Sequence, residues 1–491
     1  MSAPERIAVV GAGIGGLACA LALGGRGFDV SLYERDAAAA GAEENAEAIA
    51  QRRRGVPQAV HPHFFMGRLR EVLRTRHPDL LARLTEAGAG EGRFVEALHP
   101  AARSRYAERE DDAALTSIAA RRTTFERVMR AYVEEKGLAR VESGVEVVGL
   151  VADPGEPPRV RGLRLSRPAG REEIAADVVI DASGRAGTLA RELPSLGVQV
   201  EEERHDAGIV YFTRHYELLP GQEVPSAHGI PGLIFPDFIV GALPSDRGAF
   251  TVTYQVQRDD ADMVSVVRDS ERFQALCMQL PVLARWVDPR RARPSSGVFG
   301  FGGMDSFWRR VVVDGQPRVL GLHFVGDTAV RSNPKYGRGC TWSVLGAELL
   351  AEVLSTEPTA RGRALGYAEA LESRLRADWR SMLAMDGVAR VRFEIAAGLR
   401  PAALADRARG AFADLVDEAQ FVDAEFFRAI WSGYHGFTGM ADWTRSPAAW
   451  LRLGRHLLAR RARAPLLSER RSRPSRAEIL AASRSTRDAA N

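Results

Sequence analysis

Three glycines near the start of the chain carry the first chemistry that the sequence offers. Gly11, Gly13 and Gly16 stand in the spacing G-x-G-x-x-G within RIAVVGAGIGGLACALALGGRGFDVSLYER, residues 6 to 35. Gly11 permits a tight turn, Gly13 lets backbone approach a pyrophosphate, and Gly16 lets a helix pack closely on a strand. Glu34 follows Gly16 by 18 residues and is placed to accept hydrogen bonds from a ribose diol, with Arg35 beside it. An acid at this point disfavours a 2′-phosphate, so the ligand expected is FAD or NAD rather than NADP. Two later segments carry further candidates. Asp181 and Gly184 lie in ADVVIDASGRAGTLAREL, where Asp181 closes the apolar run Val178 to Ile180. Gly326 and Asp327 close the run Leu320 to Val325 and lead into the loop Pro334 to Gly339. In open α/β sheets the carboxyl ends of strands are where ligands bind.

These residues need elements to position them. Ile7 to Val10 reads as a buried parallel strand, Leu17 to Leu23 as a helix and Val30 to Tyr33 as a second strand. The N-terminus of that helix points unpaired N–H groups and a positive dipole end at phosphates. Ala37 to Ala50 is expected to be a loop or short helix over the nucleotide. Arg53 and Arg54, beside the break Gly55-Val56-Pro57, are either diphosphate contacts or solvated charges. His61 and His63 flank Pro62 on a loop; a metal would want a third ligand nearby and none is evident, so they read as structural or pocket-lining. Phe64 to Leu84 reads as an amphipathic helix, and a second helix starts at Thr123 or Thr124 and runs to Lys136. Val141 to Val151 and Val160 to Leu165 read as a hairpin around the turn Asp153 to Pro158. From Ala207 to Gln257 the pattern alternates as strands, which signals a second, antiparallel sheet. Residues 260 to 291 and 360 to 465 read as helical, a further helix starts at Cys340, and the Ser/Arg-rich residues 466 to 491 are expected to fray.

Composition sets the bounds. The chain has 491 residues, 45% hydrophobic and 26% charged, enough for two or three globular domains. The formal net charge is only +4, and lysine occurs only at Lys136 and Lys335. So strong a bias to arginine suggests a GC-rich coding genome, and no basic stretch is interleaved with aromatics for nucleic acid. Cys19, Cys277 and Cys340 are far apart, with no disulfide framework or zinc spacing. Residues 1 to 35 read as a folded nucleotide-binding unit and not a signal peptide, no apolar run has membrane-spanning length, and the expected location is the cytoplasm.

The glycine loop with Glu34, the ASGR segment and GDTAVRSNPKYGRG occur in the order of three motifs of a known family. The chain resembles the FAD-dependent monooxygenases of the aromatic hydroxylase and squalene epoxidase superfamily. The match is nearest to the bacterial polyether-type FAD epoxidases through GVPQ-x-x-H-x-H (Gly55 to His63), DASGR, GIVYFTR and N-P-x-Y-G-x-G, and it covers roughly residues 5 to 355. The implied fold class is α/β: an FAD-binding Rossmann-type, p-hydroxybenzoate-hydroxylase-like domain, an antiparallel-sheet substrate domain and a helical C-terminal region. The implied domains are residues 1–206 for FAD, with part of 55–115 on the substrate side, 207–310 for the substrate sheet, 311–355 returning to the FAD domain, and 356–491 helical with a basic tail.

The resemblance also implies roles. Gly11, Gly13, Gly16 and Glu34 hold the ADP half of FAD, Arg122 contacts the cofactor and Asp327 bonds the ribityl chain. The loop with Pro334, Tyr336, Gly337 and Gly339 lies against the isoalloxazine, with Cys340 at the helix start. The family's second motif, D-G-x-x-S-x-x-R, is altered here to Asp181-Ala182, with Gly187 or Thr188 near the serine position and Arg191 as the arginine. That segment is tied to pyridine nucleotide, so electrons are expected from NAD(P)H or from a separate reductase. The implied reaction inserts one oxygen from O2, through a flavin C4a-hydroperoxide, into a small apolar unsaturated or aromatic substrate, by epoxidation or hydroxylation in secondary metabolism. Candidate pocket residues on the sheet are Tyr211, Phe212, Phe235 and Phe238. The flavin halogenases that share the family's fold carry a lysine in the first hundred residues and a W-x-W-x-I-P motif; this chain has no lysine before Lys136 and no tryptophan before Trp286, which disfavours halogenation. The alternatives are a dehydrogenase or reductase of the geranylgeranyl reductase type, and a membrane-docking flavoprotein without turnover. The latter would use the basic amphipathic stretch 450 to 467, whose other reading is a helix packed on the domain with its arginines in water.

Overall fold

The apolar runs that follow Arg6 and precede Asp181 pair with one another at the centre of a five-stranded parallel sheet. In a computed structural model, which describes residues 3–37, 46, 48–49, 56–225 and 232–488, its strand order is Leu322–Phe324, Val178–Asp181, Arg6–Val10, Asp29–Glu34 and Arg140–Ser143. Every neighbouring pair is parallel. Such strands are buried on both faces, which is why they read as unbroken apolar runs. Helices Ile14–Gly24, Arg122–Glu135 and Arg338–Thr356 share one hydrophobic core with this sheet.

The expected hairpin from Val141 divides in two. Gly144, at φ +73°, ends the parallel strand Arg140–Ser143. The chain then enters a three-stranded antiparallel sheet of Glu146–Asp153, Arg159–Arg167 and Gly170–Ala175. The expected helix from Phe64 also divides, into Gly67–Arg76 and Pro78–Glu86, because Pro78 cannot continue a helix and starts a new one. Ala37 to Ala50 lies largely outside the described residues, as do Arg53, Arg54 and Gly55.

A second large sheet is antiparallel, in the order Leu233–Ile234, Phe238–Pro244, Ala249–Gln257, Ile209–Leu218 and Ala292–Phe301. One of its faces is covered by helices Ala261–Arg268, Ser270–Met278 and Pro281–Val287. The C-terminal region holds helices Ala360–Ala396, Leu404–Val422, Ala424–His435 and Pro447–Arg471. In the last of these, Leu453, His456 and Leu467 are buried, and Arg452 and Arg460 pair with Asp423 and Glu418. The fraying expected beyond residue 466 is corrected. Helix Arg476–Asp488 docks on the helices that cover the second sheet, with Ile479 buried among them. Arg476 pairs with Asp260 at 2.7 Å and Arg473 pairs with Asp237. Among the described residues no helix is long and apolar enough to cross a membrane.

The first helix sits against its strand at a clearance that only glycine allows: a Cβ on Gly16 would lie 1.9 Å from the Gly11 carbonyl oxygen. Gly16→Ala should therefore push backbone apart and cost about 1–3 kcal/mol, as overpacking does. The urea midpoint of the variant checks this; an unchanged midpoint would mean that the packing is looser than these distances show.

Candidate functional site

The carboxyl ends of the parallel strands open into one cavity of about 880 Å³ that runs from the glycine loop to the second sheet and on into the C-terminal helices. At its first end the loop is held from both sides. Gly11 takes φ +96° and its N–H donates to the Tyr33 carbonyl at 2.8 Å. Glu34 accepts from the Ala12 N–H at 2.8 Å and, through its other oxygen, from the Asp36 N–H at 2.9 Å. The acid thus shapes the loop and still borders the cavity, together with Gly11, Gly13 and Arg35. Helix Ile14–Gly24 has no capping side chain and no acid in its first turn.

The middle of the cavity is lined by Arg122, Gly326, Asp327, Pro334, Tyr336, Gly337, Gly339 and Cys340. Residues far apart in sequence are gathered here by the strand Leu322–Phe324 and the helix Arg338–Thr356 that follows it. This helix too starts without a capping side chain or an acid, after Gly337 at φ +64°. Arg122 donates to Glu126 at 2.7 Å and faces His63 Nε2 at 3.3 Å. Burial pushes the Cys340 thiol up to about 12, which disfavours the thiolate.

The loop Asn333–Tyr336 is anchored by a residue that spacing could not have pointed to. Asp386, on the long helix Ala360–Ala396, accepts through one oxygen from Asn333 Nδ2 at 3.0 Å and from Tyr336 Oη at 3.0 Å. The same oxygen lies 2.8 Å from Lys335 Nζ. Tyr211 Oη donates to Asn333 Oδ1 at 2.6 Å, which ties the second sheet to the same group.

Beyond this loop the cavity meets the second sheet. Tyr211, Ile239, Gly241, Leu243, Thr253, Gln255 and Phe301 form its wall. Phe212, Phe235 and Phe238 do not: they lie in the core between this sheet and its covering helices. Side chains alternate across a strand, so Phe212 points away from the face that Tyr211 occupies, and Phe238 away from that of Ile239. His61 and His63 line the cavity; His61 Nδ1 is 2.7 Å from Thr213 Oγ1 and His63 Nδ1 is 2.9 Å from the His61 carbonyl. Among the described residues no cluster is suited to a metal.

Of the altered second motif, Gly184 borders the cavity and Asp181 does not. Asp181 is fully buried and braces the turn, accepting from Ser183 N at 3.0 Å, Ser183 Oγ at 2.6 Å and Leu189 N at 2.9 Å. Burial pushes its carboxyl above the usual range. Arg191 donates to the Ala186 carbonyl at 2.6 Å. Gly16 packs helix on loop, as described above, and Arg54 lies outside the described residues.

The site can be set beside known proteins. A family model described as an NAD(P)-binding Rossmann-like domain matches residues 9–75. No curated protein matches the chain in sequence. Solved structures share its fold. PqsL, a probable FAD-dependent monooxygenase from Pseudomonas aeruginosa, superposes with a TM-score of 0.56 at 17% identity, covering 79% of this chain and 98% of its own. The p-nitrophenol 4-monooxygenase PnpA from Pseudomonas putida gives 0.59 at 17% identity, covering 89% and 100%. The myxobacterial chondrochloren halogenase CndH gives 0.54 at 19% identity, covering 89% and 94%. At these identities the likeness establishes the fold, one on which both oxygenating and halogenating flavoproteins are built.

The buried histidines make stability depend on pH. Burial drives His435 from 6.5 down to about 3 and His323 to about 4, and His61 and His63, half-buried on the cavity wall, are pushed down in the same direction. The folded chain keeps them neutral, whereas the unfolded chain binds protons below about 6.5, so stability falls as pH drops through the window from 6.5 towards 4. Each contributes at most about 1.4 kcal/mol per pH unit there. The urea midpoint should be lower at about pH 5 than at about pH 7.5, and His63→Gln should flatten the difference. Equal midpoints in the parent chain would contradict this.

Proposed function

We propose that this chain is an FAD-dependent monooxygenase that inserts one oxygen atom from O2 into an apolar unsaturated or aromatic substrate. The observation that carries the reading is that two uncapped helix N-termini open on one cavity, with an apolar chamber beside the second. Each presents N–H groups that have no partner within the helix and so favours negative charge. The first suits a pyrophosphate and the second the negative edge of a reduced flavin. The residues present fit FAD. The loop gives backbone access at Gly11 and Gly13, and Ser332 Oγ is buried at the cavity wall with no partner of its own.

Glu34 and Arg35 would hold the adenosine ribose end, Arg122 the middle of the cofactor and Asp327 the ribityl chain. The Pro334–Gly339 loop would lie along the isoalloxazine. Reduced FAD supplies the activation of O2. The chain's own part is to bind, to orient and to exclude water. Gly339 and Cys340, at the start of the second helix, stabilise negative charge on the cofactor through their N–H groups. Tyr211, Ile239 and Phe301 shield the chamber, and the partial burial of His61 and His63 favours their neutral forms. Electrons come from NAD(P)H or from a separate flavin reductase; Asp181 is committed to bracing its turn, which favours the second source.

Halogenation fits less well. Lys335 borders the cavity, but its ammonium is held by Asp386 and lies 4.8 Å from the Tyr336 ring centre. Within oxygen insertion, epoxidation is favoured by the likeness of the GVPQ and NPKYG segments to polyether-type epoxidases, with aromatic hydroxylation as the near alternative.

The purified protein should be yellow and should release FAD on acid precipitation. Glu34→Ala and Asp327→Ala should each weaken FAD by about 1–3 kcal/mol, the range for charge-assisted hydrogen bonds; for Glu34 the lost clamp on Ala12 adds to the effect. Unchanged affinity in both variants would mean that the cofactor lies elsewhere. With reduced flavin and isotopically heavy O2, the product should gain one heavy oxygen. A product that has lost two hydrogens and gained no oxygen would instead identify a dehydrogenase.

A further inference from the structure

The cavity continues past the Pro334–Gly337 loop into the C-terminal region. Ala389, Phe412, Val416, Ile430 and Met440 form apolar wall there, drawn from helices Ala360–Ala396, Leu404–Val422 and Ala424–His435 and the turn after them. Tyr434 connects this lobe to the loop, its ring centre 6.5 Å from that of Tyr336. Met385 and Phe412 are wall residues that are also exposed, at 39% and 41%, so the wall of the lobe extends to the surface.

The wall also carries charged side chains, and these are paired, Arg392 with Asp414 and Arg409 with Asp406; two of its polar atoms are not. Nε1 of Trp431 and Oε1 of Gln420 are buried without a hydrogen-bond partner. Both residues line the lobe, and only 5% of Trp431 and 9% of Gln420 is exposed. Gln420 is oriented by its amide, which donates to Asp417 Oδ1 at 3.0 Å, so the atom left over is an acceptor. Trp431 is held by stacking on Phe427 at 5.0 Å between ring centres. Native interiors seldom leave such groups unmatched, because each has given up its water. A donor and an acceptor left open on the wall of one lobe suit a ligand group that is both. A hydroxyl accepts from Trp431 and donates to Gln420.

We propose that the C-terminal helices form a distal binding lobe for an elongated, apolar, unsaturated alcohol, with its hydroxyl at Gln420 and Trp431 and its unsaturation reaching towards the chamber at Tyr211. The position of the reacting end rests on the monooxygenase reading; the lobe and its polar pair stand on their own geometry.

The test uses the full chain with FAD bound, and reads binding by quenching of tryptophan fluorescence. The probes are geraniol, farnesol and geranylgeraniol, each one isoprene unit longer than the last, and the methyl ether of geranylgeraniol, which cannot donate. Affinity should rise by roughly tenfold or more from the shortest alcohol to the longest, as added apolar surface is buried. The parent chain should prefer the alcohol to its ether. Gln420→Leu should weaken geranylgeraniol by roughly tenfold and abolish that preference. Ala389→Trp, which fills the lobe, should lose geranylgeraniol while an unchanged flavin spectrum reports that the chain is folded. Binding that is absent, independent of length, or equal for alcohol and ether in the parent chain overturns the proposal. Should the alcohols bind as expected while no heavy oxygen enters them, the lobe stands and the monooxygenase reading fails. The reverse result, oxygen transfer to other substrates without this length dependence, removes the lobe and keeps the reaction.

Discussion

Two helices that begin with bare backbone lie side by side, and much of the structure answers to that fact. Helices Ile14–Gly24 and Arg338–Thr356 pack on each other, and their strands, Arg6–Val10 and Leu322–Phe324, flank Val178–Asp181 in one parallel sheet. Gly15 lies at this contact, where an added Cβ would come within 3.8 Å of the Val325 carbonyl oxygen and 4.0 Å of Ser343. Both N-termini therefore emerge at the same edge of the sheet, each with unsatisfied donors and a partial positive charge. Neither is neutralised by a side chain of its own helix. The surrounding residues shape the approaches instead: Glu34 fixes the first loop, Asp181 braces the turn between the two helices, and Asp386 fixes the second loop.

Asp386 shows how such a loop is held. Burying a carboxylate and an ammonium costs more than their attraction returns unless further hydrogen bonds complete the set. Here a single carboxylate oxygen meets Asn333, Tyr336 and Lys335, and Asn333 in turn meets Tyr211. The second sheet, the loop Asn333–Tyr336 and the C-terminal helices are joined through one buried polar group. The helical region is in this sense part of the site's foundation.

How much of this was legible in the sequence depended on range. The strand–glycine–helix–strand–acid order at the start is a local pattern, and it appears as read, as do the strand ends at Asp181 and Gly326. Parity was not legible where both faces of a strand are buried: Tyr211 and Phe212 are both large aromatics, and only the covering helices decide which meets the cavity. The break at Gly144 had a signal, since a glycine inside a strand pattern marks a turn or bulge. The packing of the last helix had a fainter one, Ile479 and Leu480 within a polar run. Asp386 had none, because its partners are some fifty residues away and no spacing links them.

The cavity wall is divided along the chain in a way that separates two traits. The end at the glycine loop is built mainly from residues 10–36, 182–188 and 325–343, whereas the far end is built from residues 381–444. Length, taper and polarity at the far end can drift through changes in the helices alone, so long as Asp386 keeps its three partners. The two ends of the cavity are thereby inherited on different segments of one gene, and a lineage sharing this plan can diversify the size of the molecules it admits without disturbing the glycine loop and the two helix starts.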